Sequence, residues 1–151
     1  MSLNEEVDIL RKITLFSKVD PAKLKLLAFA SERMVFDAGQ ALCVQGDSGD
    51  SAYIIMEGEA DIIVATPKGP LIVASIGKNA IVGEIAILCD VPRTATVQAK
   101  TKLVALKIAK DLFYRMVNEF PQMAVEIMRE LAMRLDGANR KLREAISRPP
   151  G

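Results

Sequence analysis

The chain predicts a mainly β fold, a double-stranded β-helix (jelly-roll) barrel with helices before it and one long helix after it. Between Ser31 and about Ile108, glycines recur roughly ten residues apart between short runs rich in Val, Ile and Ala, which indicates many short strands joined by tight turns. Both ends of the chain instead space their apolar residues three to four apart, as a helix does. Several central runs, such as Ala60-Asp61-Ile62-Ile63-Val64, alternate, while others are apolar throughout and belong in a core. About eight strands in a double-sheet jelly roll satisfy this pattern.

Asn4 to Phe16 reads as a short amphipathic helix, capped by Asn4, with Val7, Leu10, Ile13 and Leu15 on its apolar face. Asp20-Pro21 opens a second helix, with Leu24, Leu27 and Ala28 inward and Lys23 and Lys25 in solvent. Candidate strands are Arg33–Phe36, Ala41–Val44, Ser51–Met56, Glu59–Ala65, Pro70–Ile76, Thr94–Ala99 and Leu103–Ile108. Lys110 to Asn118 reads as a short helix. Pro121 starts a long one reaching about Ile146, with Met123, Ile127, Leu131 and Leu135 in one stripe. Asp136-Gly137 interrupts the stripe before Ala138, Leu142 and Ile146. Gly in a helix interior costs about 1 kcal/mol relative to Ala, so this is a weak point. Arg148-Pro149-Pro150-Gly151 stops the helix and reads as a disordered tail. The resulting division is 1–30 helical, 31–109 strands, 110–147 helical and 148–151 tail.

At 151 residues, half of them apolar, the chain forms one domain with a real core. Its apolar runs fall far below the roughly 18 residues of a membrane span. With no charged n-region or cleavage site at the N-terminus, it reads as cytoplasmic. Net charge is +1, from 20 basic and 19 acidic residues, which argues against a general nucleic-acid surface. Cys43 and Cys89 match no zinc or redox spacing and read as small hydrophobes. The absence of histidine excludes the usual catalytic triads, zinc–histidine sites and histidine-ligated haem. Two cysteines exclude a four-cysteine iron–sulfur cluster.

The chemistry concentrates in Gly83-Glu84-Ile85-Ala86-Ile87-Leu88, followed closely by Arg93-Thr94-Ala95-Thr96-Val97. Gly83 lets a backbone approach a ligand closely. If Glu84 to Leu88 begin a short helix, the N–H groups of Ile85 and Ala86 attract an anion. Arg93 can hold the same anion with a planar charged fork. Glu84, acceptor-only when ionised, suits a sugar hydroxyl. Taken singly, Glu84 could be an acidic residue favoured at a helix start, and Arg93 a solvated one.

This stretch, residues 82–97, resembles the phosphate-binding cassette of the cyclic nucleotide-binding domain family. That family includes the catabolite activator protein, the regulatory subunits of cyclic-AMP-dependent protein kinase and cyclic-nucleotide-regulated channels. The resemblance extends over nearly the whole chain. Phe36-Asp37-Ala38-Gly39-Gln40 looks like the family's first hairpin, Gln45-Gly46-Asp47-Ser48-Gly49-Asp50 like its second and Gly58-Glu59 like its third. Their glycines are read as positive-φ positions with no ligand role.

The resemblance implies that Glu84 binds the ribose 2′-hydroxyl and Arg93 the exocyclic phosphate oxygens, with Ala95 in the same cassette. It makes Thr94 the selectivity position, able to contact the phosphate and a syn guanine. Thr is also simply a good strand former. Ile76, Ile81 and Val82 would line the apolar slot for purine and ribose, or sit in the core. Arg134, with Ala138 one turn on, would cap the base from the long helix, or balance Asp136 or Glu130 at the surface. Two departures from the family stand out: Asn79-Ala80 where it has Gly followed by an acidic residue, and Val82 where it has an aromatic. Asn tolerates the left-handed conformation, so that turn should survive.

The implied function is a non-catalytic cyclic nucleotide receptor, an allosteric sensor for cyclic AMP that tolerates cyclic GMP, with no cofactor beyond that ligand. The alternative is a degenerate domain kept as a protein-interaction scaffold. An enzyme cleaving the cyclic phosphate lacks a metal cluster or a general base to support it. No helix-turn-helix follows the long helix, so the expected partners are the nucleotide and an unknown downstream protein, with neither nucleic acid nor membrane. The long helix's stripe fits either a homodimer contact or packing on the strands.

Overall fold

A computed structural model of the chain describes residues 2–13, 16–17 and 19–147, without the side chains of Glu84, Ile85, Leu88, Glu130, Arg134 and Ala138. Two helices come first, α1 (Leu3–Arg11) and α2 (Pro21–Ala30). The strands follow: β1 (Glu32–Phe36), β2 (Ala41–Cys43), β3 (Ser51–Glu57), β4 (Ala60–Thr66), β5 (Gly69–Ile76) and β6 (Ile81–Val82). The helix α3 (Glu84–Cys89) precedes β7 (Thr96–Ala99) and β8 (Leu103–Ala109), and α4 (Lys110–Glu119) and α5 (Pro121–Ser147) close the order.

The strands form two antiparallel four-stranded sheets, ordered β1-β8-β3-β6 and β2-β7-β4-β5. The expected barrel is therefore not closed by hydrogen bonds, and each sheet keeps its own edges. The sequence expectation also lacked β6, because two apolar residues have no readable period. Thr94 lies outside β7, since the chain bends at Thr94 and Ala95 after Arg93.

Helix α1 is capped by Ser2, whose Oγ accepts the Glu5 N–H at 3.2 Å, rather than by Asn4. It ends at Arg11, short of Phe16. Lys12 and Ile13 donate three residues back, to Ile9 and Leu10, tightening the chain out of α geometry. Leu15 lies outside the described residues. Asp20 does cap α2, accepting from Ala22 N–H at 2.9 Å with Pro21 in the first turn.

Strand β3 is the divider of the interior, with Ser51 to Met56 all buried. Ala52, Ile54 and Met56 join the helix-side core with Leu10, Phe16, Leu24, Phe113, Met123 and Ile127. Tyr53 and Ile55 point the other way, into an inter-sheet core with Phe36, Leu42, Val82, Val97 and Leu103. Burying each such large side chain contributes about 1.5–3 kcal/mol.

Helix α5 runs unbroken through Gly137. Its stripe packs only in its first half, through Met123, Ile127 and, partly, Leu131. Met128, Met133, Leu135, Leu142 and Ile146 are exposed. Residues 148–151, the expected tail, lie outside the described residues.

Candidate functional site

Arg93 is fixed at both its backbone and its side chain. Its N–H donates to Asp47 O at 2.8 Å, and its carbonyl accepts from Gly46 N–H at 2.9 Å, so the β2–β3 turn clamps it. Arg93 as a whole is only 6% exposed. Nη2 donates to Ser51 O at 2.7 Å and reaches Ser51 Oγ at 3.4 Å, while Nη1 donates to Gly83 O at 3.2 Å. Among the described side chains, which do not include Glu84, no carboxylate pairs with it. A buried permanent charge thus rests on backbone carbonyls and one hydroxyl.

Gly83 makes this arrangement possible. It has φ +87° and caps α3. A Cβ there would collide with the Arg93 guanidinium and lie 3.0 Å from Ser51 O. The backbone of Glu84, Ile85 and Ala86 follows directly as the first turn of α3, whose N–H groups have no intrahelical acceptor. Ala86 is buried, whereas the side chains of Glu84 and Ile85 lie outside the described ones.

The rest of α3 is held from three sides. Ala86 packs so closely on Gly49 that a Cβ on Gly49 would occupy the Ala86 methyl's place. Gly49 is not among the positive-φ residues, so its requirement is close approach and not backbone conformation. Asp90, at φ +51°, ends the helix, and Val91 N–H returns to Ala86 O at 3.3 Å. Tyr114 of α4 donates its hydroxyl to Ile87 O at 2.8 Å.

Thr94 is exposed and Ala95 half-buried beside Arg93. Cys43 Sγ lies 4.0 Å from Ala95 O, and burial pushes its thiol pKa up, with the Arg93 guanidinium opposing that. Asn79 adopts the left-handed conformation its residue type allows, at φ +76°. Its N–H donates to Ile55 O at 2.9 Å.

Of the three expected slot residues, Val82 belongs to the inter-sheet core and Ile76 packs partly against it. Ile81 does not join them. It is buried in the helix-side core, against Phe16, Phe113 and Met123, because adjacent residues of β6 face opposite ways. The register reveals candidates that the sequence expectation missed. Ile62, which packs against the inter-sheet core, pairs with Ala74 and with Val97, and Val64, two residues further along β4, pairs with Leu71. Leu71 is 55% exposed, so that wall has uncovered apolar surface. A register shift on β5 between these pairs hid the pattern from simple alternation. Arg134 and Ala138 lie on α5, with side chains outside the described ones.

Residues 33–120 match the model of the cyclic nucleotide-binding domain. The chain is 34% identical over 109 residues to the cAMP-dependent protein kinase regulatory subunit of Yarrowia lipolytica, spanning 72% of the chain and 28% of that relative. It is 32% identical to a cyclic nucleotide-gated potassium channel of Mesorhizobium japonicum, over 83% of the chain and 34% of the channel. The chain thus spans about a third or less of these relatives. Among solved structures, the regulatory subunit of a cAMP-independent protein kinase A from Trypanosoma brucei superposes with a TM-score of 0.75 at 26% identity, over 87% of this chain and 47% of that one. A cyclic nucleotide-binding-like protein from Brucella abortus gives 0.64 at 32% identity, over 76% and 98%. With the cassette geometry and these likenesses together, the chain belongs to the cyclic nucleotide-binding domain family.

Proposed function

We propose that this domain is a non-catalytic receptor for a cyclic nucleotide, cyclic AMP first and cyclic GMP tolerated, and that it acts as an allosteric sensor built on a double-sheet jelly roll. One observation carries this reading: the buried Arg93 side chain, with no carboxylate partner among the described side chains. Leaving a charge buried without a counter-ion costs several kcal/mol, and a bound phosphate would supply that counter-ion. Arg93 then binds the exocyclic oxygens together with the Ile85 and Ala86 N–H groups, beside Thr94 and Ala95. Glu84 takes the ribose 2′-hydroxyl. Val82 and Ile76, with the pairs Ile62–Ala74 and Val64–Leu71, form the base slot.

Arg134 and Ala138 of α5 close over the base, and that closure signals to a downstream protein. A hundredfold shift towards the closed form requires about 2.7 kcal/mol of differential affinity. The exposed Met128, Leu135 and Leu142 recur every seventh residue along α5, the spacing of a coiled-coil seam, and offer their stripe to a second copy of the chain.

Titration calorimetry with cyclic AMP and cyclic GMP, on wild type and Arg93→Ala, tests the reading. Micromolar or tighter binding that the substitution weakens by at least about tenfold is the expected result. No heat with either ligand, from folded and nucleotide-free protein, would overturn it in favour of a scaffold.

A further inference from the structure

A closed ring of contacts runs through the site and out to the C-terminal helices. Arg93 donates to Gly83 O, at the entry of α3. At the far end of α3, Ile87 O accepts the Tyr114 hydroxyl at 2.8 Å. One turn before Tyr114 on α4, the Lys110 N–H donates to Asp50 O at 2.9 Å. The next residue, Ser51, accepts from Arg93 through its carbonyl and hydroxyl oxygens. Lys110 Nζ also lies 3.5 Å from Asp90 Oδ1, at the end of α3. Apart from that ion pair and the Ser51 hydroxyl, every link but one is made by backbone groups or by Arg93 itself. The exception is the Tyr114 hydroxyl.

The link matters because α3 has only six residues. A helix that short does not hold itself together in water and takes its order from its surroundings. Phe113 and Met116 anchor α4 in the helix-side core, so α4 is a firm support. Tyr114 is half-exposed on the same helix, and its ring makes an edge contact with Phe113 that fixes its direction.

We infer that Tyr114 is a positioning residue for the anion site: by holding the end of α3 to α4, it keeps Gly83 set against Arg93 before any ligand arrives. The inference rests on the receptor reading for its affinity arm only. Pre-ordering a binding element removes an ordering cost from association. By linkage, a ligand that favours the ordered α3 tightens the Tyr114 contact by the same factor, which delivers occupancy to α4 and the base of α5.

The test pairs hydrogen exchange on the ligand-free protein with calorimetry using cyclic AMP, on wild type, Tyr114→Phe, Lys110→Met and Leu10→Ala. Tyr114→Phe removes only the hydroxyl. Its expected effect is about two- to tenfold faster exchange across residues 84–91 and a matching rise in Kd, the range of one neutral hydrogen bond. Lys110→Met keeps its backbone link and loses a solvent-exposed ion pair, so it should change both by less than about threefold. Leu10→Ala lowers the thermal midpoint through the core and should leave both unmoved. Unchanged exchange and affinity in Tyr114→Phe would overturn the inference, as would equal effects from Leu10→Ala. Faster exchange in Tyr114→Phe with no nucleotide bound by wild type would sustain the positioning role and overturn the receptor reading instead.

Discussion

Arg93 and Gly83 occupy each other's space: the guanidinium donates to the glycine carbonyl at 3.2 Å and fills the volume a Cβ on that glycine would need. The backbone at Gly83 is also left-handed, at φ +87°. Gly83→Ala therefore meets two penalties, strain of about 1–3 kcal/mol and displacement of the guanidinium. Chemical denaturation should show the stability loss, and calorimetry a Kd at least about tenfold weaker.

Arg93→Ala should weaken nucleotide binding roughly ten- to several-hundredfold, since a charge-assisted hydrogen bond contributes about 1.5–3 kcal/mol and the fork makes more than one. Arg93→Lys keeps the charge without the planar fork and should fall between the two. Arg134→Ala should cost less than Arg93→Ala. Equal losses from both in calorimetry would merge roles that the receptor reading keeps separate.

Gly49 tests packing in the same neighbourhood without touching the anion. A methyl on Gly49 meets the Ala86 side chain of α3. Gly49→Ala should destabilise the fold by about 1–3 kcal/mol, the usual penalty for overpacking. Urea midpoints measure it, and Gly49→Ala with unaltered stability would show that α3 yields freely.

Cys43 gives a pH signature. Its folded thiol has a raised pKa, first through burial. The folded state then holds its proton at pH values where the unfolded chain releases it. The stability this contributes is therefore fully present below the unfolded thiol value, about 8.5, and is lost as pH rises from there through the folded one. Cys43→Ala should flatten that decline in denaturation curves taken from neutral to alkaline pH.

Leu135 sits at the middle of the exposed α5 stripe. Sedimentation equilibrium should find a dimer for wild type and a monomer for Leu135→Glu, with nucleotide affinity within about threefold. A wild-type monomer at all concentrations would leave the stripe without a second copy.

The parts of this molecule legible in its sequence are those with local causes. Asp20-Pro21 starts α2 because the cap and the fixed φ act within one turn. Gly83 and Arg93 stand close together in one short sequence stretch, and the fold brings them into direct contact. Asn79 could be trusted with positive φ because its residue type allows it. What failed depended on distant partners. The face on which Ile81 lies is decided by its pairing with Ile54 of β3, not by its neighbours in the chain. Gly49 looked like a turn glycine until the packing of Ala86 supplied its reason. Tyr114 is an ordinary aromatic in a helical stretch until α3 arrives beneath it. The early end of α1 followed from two short-range hydrogen bonds that its periodicity does not encode.

The division of the interior by β3 has an evolutionary consequence. The base slot proposed above draws on β4 and β5, while the residues that secure the helices lie across β3 in a separate cluster. Substitutions far apart and without shared partners add nearly independently. Drift at Val64, Leu71 or Ala74 can thus alter what is recognised while leaving the helical core intact. A lineage carrying this fold is free to change its chemical vocabulary one wall at a time, without first losing the apparatus that responds.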